Sequence, residues 1–535
     1  MKKFVFFVFV FLIVLVPIAP AQKLTVLYTN DLHSHLEPLI VPWVSTTRKV
    51  GGFANIATLV KQEKAANPNT VYFDAGDFFA GPYMSSLTKG EAIIDAANYL
   101  GLDAACVGNH EYDYGWQNAY KQFQLAKFPL LNGNIFVKGT NKLHWPKPYI
   151  IKEVNGIRLG IIGLHEKFAF EDTVAPVMIK GVEVRDEKVY LRKYIKELQP
   201  KTDLIILLIH IGIPGTQSTG GEADVIRNHQ HDIDLAKAVP GVDLMITGHP
   251  HSGTPTPIVA NGTIIVSTDA YTIELGKLEI TYDKKLDKIV DYKNHYNYLY
   301  DDEVEDDPAM VAVINKWKNK LKAITDEKVT TVTGPLTRSY GESSPMGNMT
   351  ADAMLAAYPE YDFAVTNSGG LREDIDPGVV TVGKLISVFP FPNTIVQLEI
   401  KGRYLREAFE HGASLTNGVL QVSKGVQMIY VQNRTVGSRI SKLNIKGVPL
   451  DDDKTYKILT SNYLADGADG FSAFKNALSY KNTGVQILDA MVKYLKTFKT
   501  YSPALEDRVL GVLEVKENVI RMNGSLFKTK TAFDD

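Results

Sequence analysis

The residues of this chain best equipped for chemistry are an Asp-x-His pair (Asp31, His33), Asp77 behind a glycine, and the run Asn109-His110-Glu111-Tyr112-Asp113. A lone His210 and a His-x-His pair (His249, His251) follow. Carboxylate, imidazole and amide groups are donors for divalent cations. Imidazole suits Zn, Mn, Fe or Ni, and the oxygens also admit Mn or Mg. Asp31 and His33 stand at i and i+2, so at a strand end both can turn toward one site. A carboxylate such as Asp77 can bridge two cations and soften their repulsion, and Asn109 adds an oxygen without adding charge. Two cations about 3.5–4 Å apart would activate a bridging water and clamp a phosphoryl oxygen. The residue types therefore predict a centre of two divalent metal ions, Zn, Mn or similar, with Asp31, His33, Asp77, Asn109, His210, His249 and His251 as ligands.

Each of these groups follows an apolar run. Leu24–Tyr28 leads into Asn30-Asp31-Leu32-His33, Val71–Phe73 into Asp74-Ala75-Gly76-Asp77, and Ala104–Val107 into Gly108-Asn109-His110. Leu204–Ile209 leads into His210, and Leu244–Ile246 into Gly248-His249-Pro250-His251. Such runs alternate with helical patterns, as in α/β layers, whose ligand crevice lies at the carboxyl ends of the strands. Taken singly, Asp31 or Asp77 reads equally well as a cap and His210 as a buried core histidine. Five independent strand ends carrying the same chemistry argue for one rim. His35, two residues past His33, reads as a surface or supporting residue, and His229 and His231 sit in a polar stretch without a role.

The chain has 535 residues, 45% hydrophobic and 22% charged, which suits folded protein of more than one domain and excludes collagen-like, coiled-coil or disordered chains. Lys+Arg of 58 against Asp+Glu of 60 gives a net charge of −2, which argues against nucleic acid as a partner held by a basic surface. The single cysteine, Cys106, excludes an intramolecular disulfide framework and a Cys-rich zinc site. Lys2 and Lys3, the apolar run Phe4–Val16 and Ala19-Pro20-Ala21 read as a secretory leader over residues 1–21, since the run is shorter than the roughly 20 residues of a membrane span. Nothing later is long and apolar enough to span, so a soluble periplasmic or secreted protein is expected. A second boundary lies near residue 305. Acidic Asp301–Asp307 precedes Pro308, and Met310, Ile314, Trp317, Leu321 and Ile324 recur on one helical face. The expected units are 22–305, a joining helix over 306–327, and 328–535.

The order Asp-x-His, Gly-Asp, Gly-Asn-His-Glu, a lone His after a strand and Gly-His-x-His resembles the calcineurin-like metallophosphoesterases. Beyond the joint, several further motifs look like the C-terminal domain of secreted 5′-nucleotidases. They are Gly347-Asn348 with Ala351-Asp352-Ala353, Asn367-Ser368-Gly369-Gly370-Leu371-Arg372, Phe389-Pro390-Phe391, Leu420-Gln421-Val422 and Ala468-Asp469-Gly470-Phe471. The resemblance implies an α/β fold. It has an N-terminal four-layer α/β/β/α metallophosphoesterase domain and a C-terminal α/β substrate-binding domain, joined by a helix. It assigns Asp31, His33, Asp77 and His251 to one metal, and Asp77, Asn109, His210 and His249 to the other.

The same resemblance makes His110 and Asp113 a catalytic dyad. A histidine beside the transferring phosphoryl group can stabilise charge or protonate the leaving oxygen, and Asp113 can hold its tautomer. Arg372 would take the substrate phosphate, Tyr463 one face of the base, and Asp469 the ribose hydroxyls. Val419 stands where the family has the second aromatic ring, with Phe471 or Phe391 as substitutes. The implied activity is hydrolysis of small-molecule 5′-nucleotides, with the two domains closing about the joining helix. Alternatives are a 2′,3′-cyclic nucleotide phosphodiesterase, a UDP-sugar or nucleoside-diphosphate hydrolase, a thiosulfonate hydrolase of related build and, remotely, a nucleotide-binding protein without turnover.

Overall fold

Leu204–His210 shows why the first half of the chain layers as it does. All seven residues are buried, because a strand apolar on both faces needs cover on both. Leu204, Ile206 and Leu208 point into a core shared with a second sheet. Ile205, Leu207 and Ile209 point the other way, onto helices. The same period of two sorts Leu24, Val26 and Tyr28 inward and Leu27 outward. A computed structural model describes residues 21–41, 44–213, 228–415, 418–515 and 518–521. The leader reading, residues 1–21, lies outside the described residues except for Ala21; among those described, no helix is long and apolar enough to cross a membrane.

The two sheets of the first half are built alike. In one, Gln22–Thr29, Thr70–Asp74, Ala104–Cys106 and Leu130–Leu131 run parallel, with Gly276–Asp283 and Lys288–His295 antiparallel at one edge. In the other, Ile157–His165, Leu204–His210, Leu244–Gly248 and Thr263–Val266 are parallel, between antiparallel Tyr149–Val154 and Ile258–Ala260. The sheets pack face to face. Helices Phe53–Ala66, Glu91–Ala97 and Pro308–Thr325 cover the first, and Glu187–Leu198 and Gln230–Ala238 the second. This is the α/β/β/α order, and it refines the sequence reading: the ligand-bearing rim is shared by two sheets, three strand ends from one and two from the other.

Asp307 caps the helix Pro308–Thr325 by accepting the Met310 N–H, with Pro308 in the first turn. Met310, Ile314, Trp317 and Leu321 are buried as the spacing predicts, but Ile324 is 49% exposed and Val313 and Thr325 are buried instead. The apolar stripe has drifted round the helix by its last turn. Met310, Val313, Ile314, Trp317 and Leu321 join the first half's outer core, so this helix packs as a layer of that half.

In the second half, a mixed sheet orders Leu420–Val422, Phe363–Asn367, Thr455–Ser461, Thr394–Lys401 and Ser479–Gln486. Helices Pro345–Ala357, Val382–Val388 and Ile487–Lys496 cover one face. Helix Gly402–Gly412 and a second five-stranded sheet cover the other. The halves touch: Tyr83 N–H donates to Ser387 Oγ at 3.2 Å, and Ser86 Oγ donates to the Pro390 carbonyl at 2.9 Å.

Leu208 is fully buried between the sheets, so Leu208→Ala is expected to cost about 2–5 kcal/mol, combining lost transfer energy and a cavity. A denaturant titration followed by circular dichroism checks this through the shift in midpoint.

Candidate active site

Five of the seven predicted ligands sit in left-handed backbone: Asp31 (φ 52°), His33 (44°), Asp77 (63°), His249 (95°) and His251 (51°). Non-glycine residues avoid that region at a cost of roughly 1–3 kcal/mol each, and it persists only where the surroundings over-determine it. Here each strand ends abruptly, and the left-handed residue turns the next side chains back over the sheet edges. The turn-backs converge. Ligand atoms of Asp31, His33 and His251 lie within 4.8 Å of one another, as do those of Asp77, His210 and His249. Asn109 Oδ1 lies 3.1 Å from His249 Nδ1.

The hydrogen bonds around this cluster settle which atoms face inward. His33 Nδ1 lies 3.1 Å from the carbonyls of Phe79 and Ala80, and His210 Nδ1 lies 2.8 Å from that of Ala75. A carbonyl only accepts, so both rings carry a proton on Nδ1 and turn Nε2 toward the cluster. His33 Nε2 lies 2.8 Å from His251 Nε2, and His210 Nε2 lies 3.0 Å from Asp77 Oδ2. Imidazoles held through one nitrogen, with the other turned to a shared point among carboxylates, are the usual arrangement of metal ligands. The residues present fit divalent cations.

The electrostatics agree. Burial first, then neighbouring charge, holds His33, His249 and His251 well below the ordinary imidazole range, leaving them neutral as a metal requires. Burial pushes His210 down, yet Asp77 and Asp31 pull it up to about 10. That negative field is what a divalent cation would meet.

Three residues that the sequence reading left without a role prove to shape the site. Glu111 takes the N–H groups of Gly108 (2.7 Å), Asp77 (3.0 Å), Phe78 (2.8 Å) and Phe79 (3.1 Å) on one carboxylate, tying two ligand loops together. Its place between His110 and Asp113 was the available signal. Gly108 permits this approach: a Cβ there would come within 2.1 Å of Asp77 Oδ1. Asn30 donates to Asp31 Oδ2 at 2.7 Å and orients it. His165 ends a sixth strand in register with His210, their ring centroids 5.2 Å apart. The apolar run Ile157–Leu164 ending in histidine was its signal. His35 is buried against Tyr271, not at the surface. His229, far from lying in a solvated loop, is fully buried, while His231 pairs with Glu166 at 2.8 Å.

Beside the ligand cluster opens a cleft lined from both halves of the chain. His110 Nδ1 lies 2.8 Å from Asp113 Oδ2, and its Nε2 lies 4.0 Å from Asp77 Oδ2. Burial lowers the His110 pKa, but Asp113 and Asp77 more than compensate and leave it raised. Across the cleft, Phe391 stacks on His110 with ring centroids 5.9 Å apart, and the Arg372 guanidinium lies 6.0 Å above the same phenyl ring. Arg372 Nη2 is buried without a hydrogen-bond acceptor. Tyr463 Oη lies 2.6 Å from Asp469 Oδ1 and 3.2 Å from the Thr173 carbonyl of the opposite half, and Asn367 Nδ2 donates to Asp469 Oδ2 at 3.1 Å. Burial raises Asp469 to about 6.

Val419 does not reach the cleft. It is buried in the second half's core, where its N–H donates to the Tyr340 carbonyl. Phe471 is likewise core. The aromatic rings that line the cleft are Phe391, Tyr463 and Tyr340, and Tyr340 escaped the sequence reading because it lies about eighty residues before Val419.

Comparison with known proteins bears on the same two halves. The calcineurin-like phosphoesterase family matches residues 24–253, and the 5′-nucleotidase C-terminal domain matches residues 325–476. The 5′-nucleotidase of Homo sapiens is 30% identical over 551 residues, spanning 93% of this chain and 92% of that protein. This chain belongs to the 5′-nucleotidase family. A trifunctional nucleotide phosphoesterase of Bacillus subtilis is 27% identical over 544 residues, of which this chain spans only 35% of the length. Among solved structures, a 5′-nucleotidase precursor from Thermus thermophilus superposes with a TM-score of 0.81 at 27% identity, covering 93% of this chain and all of that one. A Thermus thermophilus sulfate thiohydrolase shares the fold, with a TM-score of 0.74 at 18% identity over 93% of this chain and 98% of that one. As a 5′-nucleotidase family member, the protein is a metal-dependent phosphoric ester hydrolase.

In this family member, Glu111→Ala leaves four N–H donors without their acceptor, at a cost of about 1–3 kcal/mol for each group left buried and unpaired. A fall in melting temperature is expected, together with a loss of phosphatase activity that added metal does not fully restore.

Proposed function

We propose that the protein is exported and hydrolyses nucleoside 5′-monophosphates to nucleoside and phosphate at a centre of two divalent metal ions. The reading rests on one juxtaposition. A cluster of neutral imidazoles and carboxylates from the first half faces an arginine with a buried unpaired N–H and a Tyr463–Asp469 pair from the second, across one cleft.

Asp31, His33, Asp77 and His251 would hold one ion, and Asp77, Asn109, His210 and His249 the other. When bound, the ions supply Lewis acidity on the phosphoryl oxygen and lower the pKa of a water at the site. Arg372 forks onto the phosphate, supplying the charge that a chain of near-zero net charge lacks overall. Asp113 holds the proton on His110 Nδ1, so Nε2 faces the cleft, where in its charged form it donates to the phosphoryl group. Asp469, fixed by Asn367 and Tyr463, accepts from the ribose hydroxyls, and the Tyr463 ring receives the base. Residues 22–305 and 328–535 act as the two units, and closure between them excludes water from the cleft.

Phosphate release from AMP tests the reading. His110→Ala is expected to lower kcat by about 10²–10⁴-fold. Tyr463→Ala should raise KM for AMP by the roughly 1–3 kcal/mol typical of base stacking, while leaving bis-4-nitrophenyl phosphate hydrolysis nearly unchanged. Turnover of UDP-glucose or a 2′,3′-cyclic nucleotide but not of AMP would replace the substrate; full AMP activity in Asp77→Ala would sink the site itself. Chelation with EDTA is expected to abolish turnover, and Mn²⁺ or Zn²⁺ to restore it. Retained activity after exhaustive chelation would contradict the metal reading.

A further inference from the structure

His251 and His249 occupy left-handed backbone on a loop with little secondary structure of its own, so something outside the ligand set must hold that loop. The peptide unit joining Ser252 to Gly253 is gripped at both ends. The Ser252 carbonyl lies 2.7 Å from His229 Nε2, and the Gly253 N–H donates to Asp269 Oδ1 at 2.7 Å. His229 Nδ1 in turn lies 3.1 Å from Asp232 Oδ2. Both partners of His229 are acceptors, so both its ring nitrogens carry protons, and the ring is a buried imidazolium with Asp232 as counter-ion. Asp269 is fixed as well: its N–H is shared between Glu274 Oε2 at 3.1 Å and Tyr296 Oη at 3.0 Å. Gly253 is the residue that fits, because a Cβ there would come within 1.6 Å of Tyr296 Oη.

A cationic donor on the carbonyl and an anionic acceptor on the N–H align with the peptide dipole and oppose its rotation. Ser252 directly follows His251, so rotating this peptide swings the His251 ring away from His33 and Asp31 and loosens His249 two residues before it. We propose that His229 and Asp269 are positioning residues that hold the His249–His251 loop in its metal-binding conformation, from opposite sides of one peptide. The proposal rests on the metal-centre reading above and concerns residues that touch neither substrate nor metal.

The test is Mn²⁺ binding to the metal-stripped full chain by titration calorimetry, for the native protein and for His229→Leu, His229→Gln and Asp269→Ala. Thr350→Val, a buried change confined to the second half, serves as the control. His229→Leu and Asp269→Ala should weaken Mn²⁺ binding about 10–100-fold, the usual effect of removing support behind metal ligands, with kcat largely recovered at saturating Mn²⁺. His229→Gln, which keeps a donor for the Ser252 carbonyl, should lose less, and Thr350→Val nothing. Folded His229→Leu and Asp269→Ala binding Mn²⁺ within twofold of native would overturn the proposal; if His229→Leu does not fold, Asp269→Ala and His229→Gln decide it in the same way. A native chain that binds no Mn²⁺ would overturn the metal reading and this inference with it.

Discussion

Everything in this structure answers to one costly arrangement: imidazoles and carboxylates buried together in a single cluster. His33, His210, His249, Asp31 and Asp77 share a water-poor space, where electrostatic terms are large. Such a cluster spreads apart unless rigid elements oppose it. Two sheets with parallel centres, packed face to face, set five strand ends side by side. The left-handed turns then fold the ligands inward, and Glu111 and the Ser252–Gly253 clamp keep those turns from relaxing. The stability of the layers, built from side chains each contributing about 1.5–3 kcal/mol on burial, holds a site that destabilises itself.

The second half complements this field. The first half gathers carboxylates and imidazoles suited to cations, and the second brings a buried guanidinium with an unpaired N–H and a recess lined by Tyr340, Tyr463 and Asp469. The proposed nucleotide substrate asks for both at once: in that reading its phosphate lies toward the ligand cluster and Arg372, and its sugar and base toward Tyr463 and Asp469. Net charge near zero is consistent with this division, since attraction for an anionic substrate is confined to the seam between the halves.

Much of the site was legible along the chain because ligand and strand are neighbours in sequence. An apolar run ending in Asp-x-His or His-x-His is a local pattern, and the period of two along Leu204–His210 is visible without the fold. The residues that escaped notice act at a distance. His229 and Asp269 grip a peptide from opposite sides, Glu111 reaches back to the loop at Asp77, and Tyr340 meets the cleft from a segment remote from Val419. Ile324 marks a smaller departure: a strict three-and-four spacing puts it on the buried face, yet a straight helix drifts, and in its last turn Thr325 is buried in its place.

The sequence by itself determined the chemistry on offer: the donor types, their attachment to strand ends, the absence of cysteine as a ligand, and the motifs that mark the two halves. The fold added that two sheets share the rim, that His229 is buried and bonded to Ser252 and Asp232, and that Val419 is core. Whether a polar side chain faces water or another chain segment depends on contacts between residues far apart in sequence, and no local pattern of types or spacings contains that information.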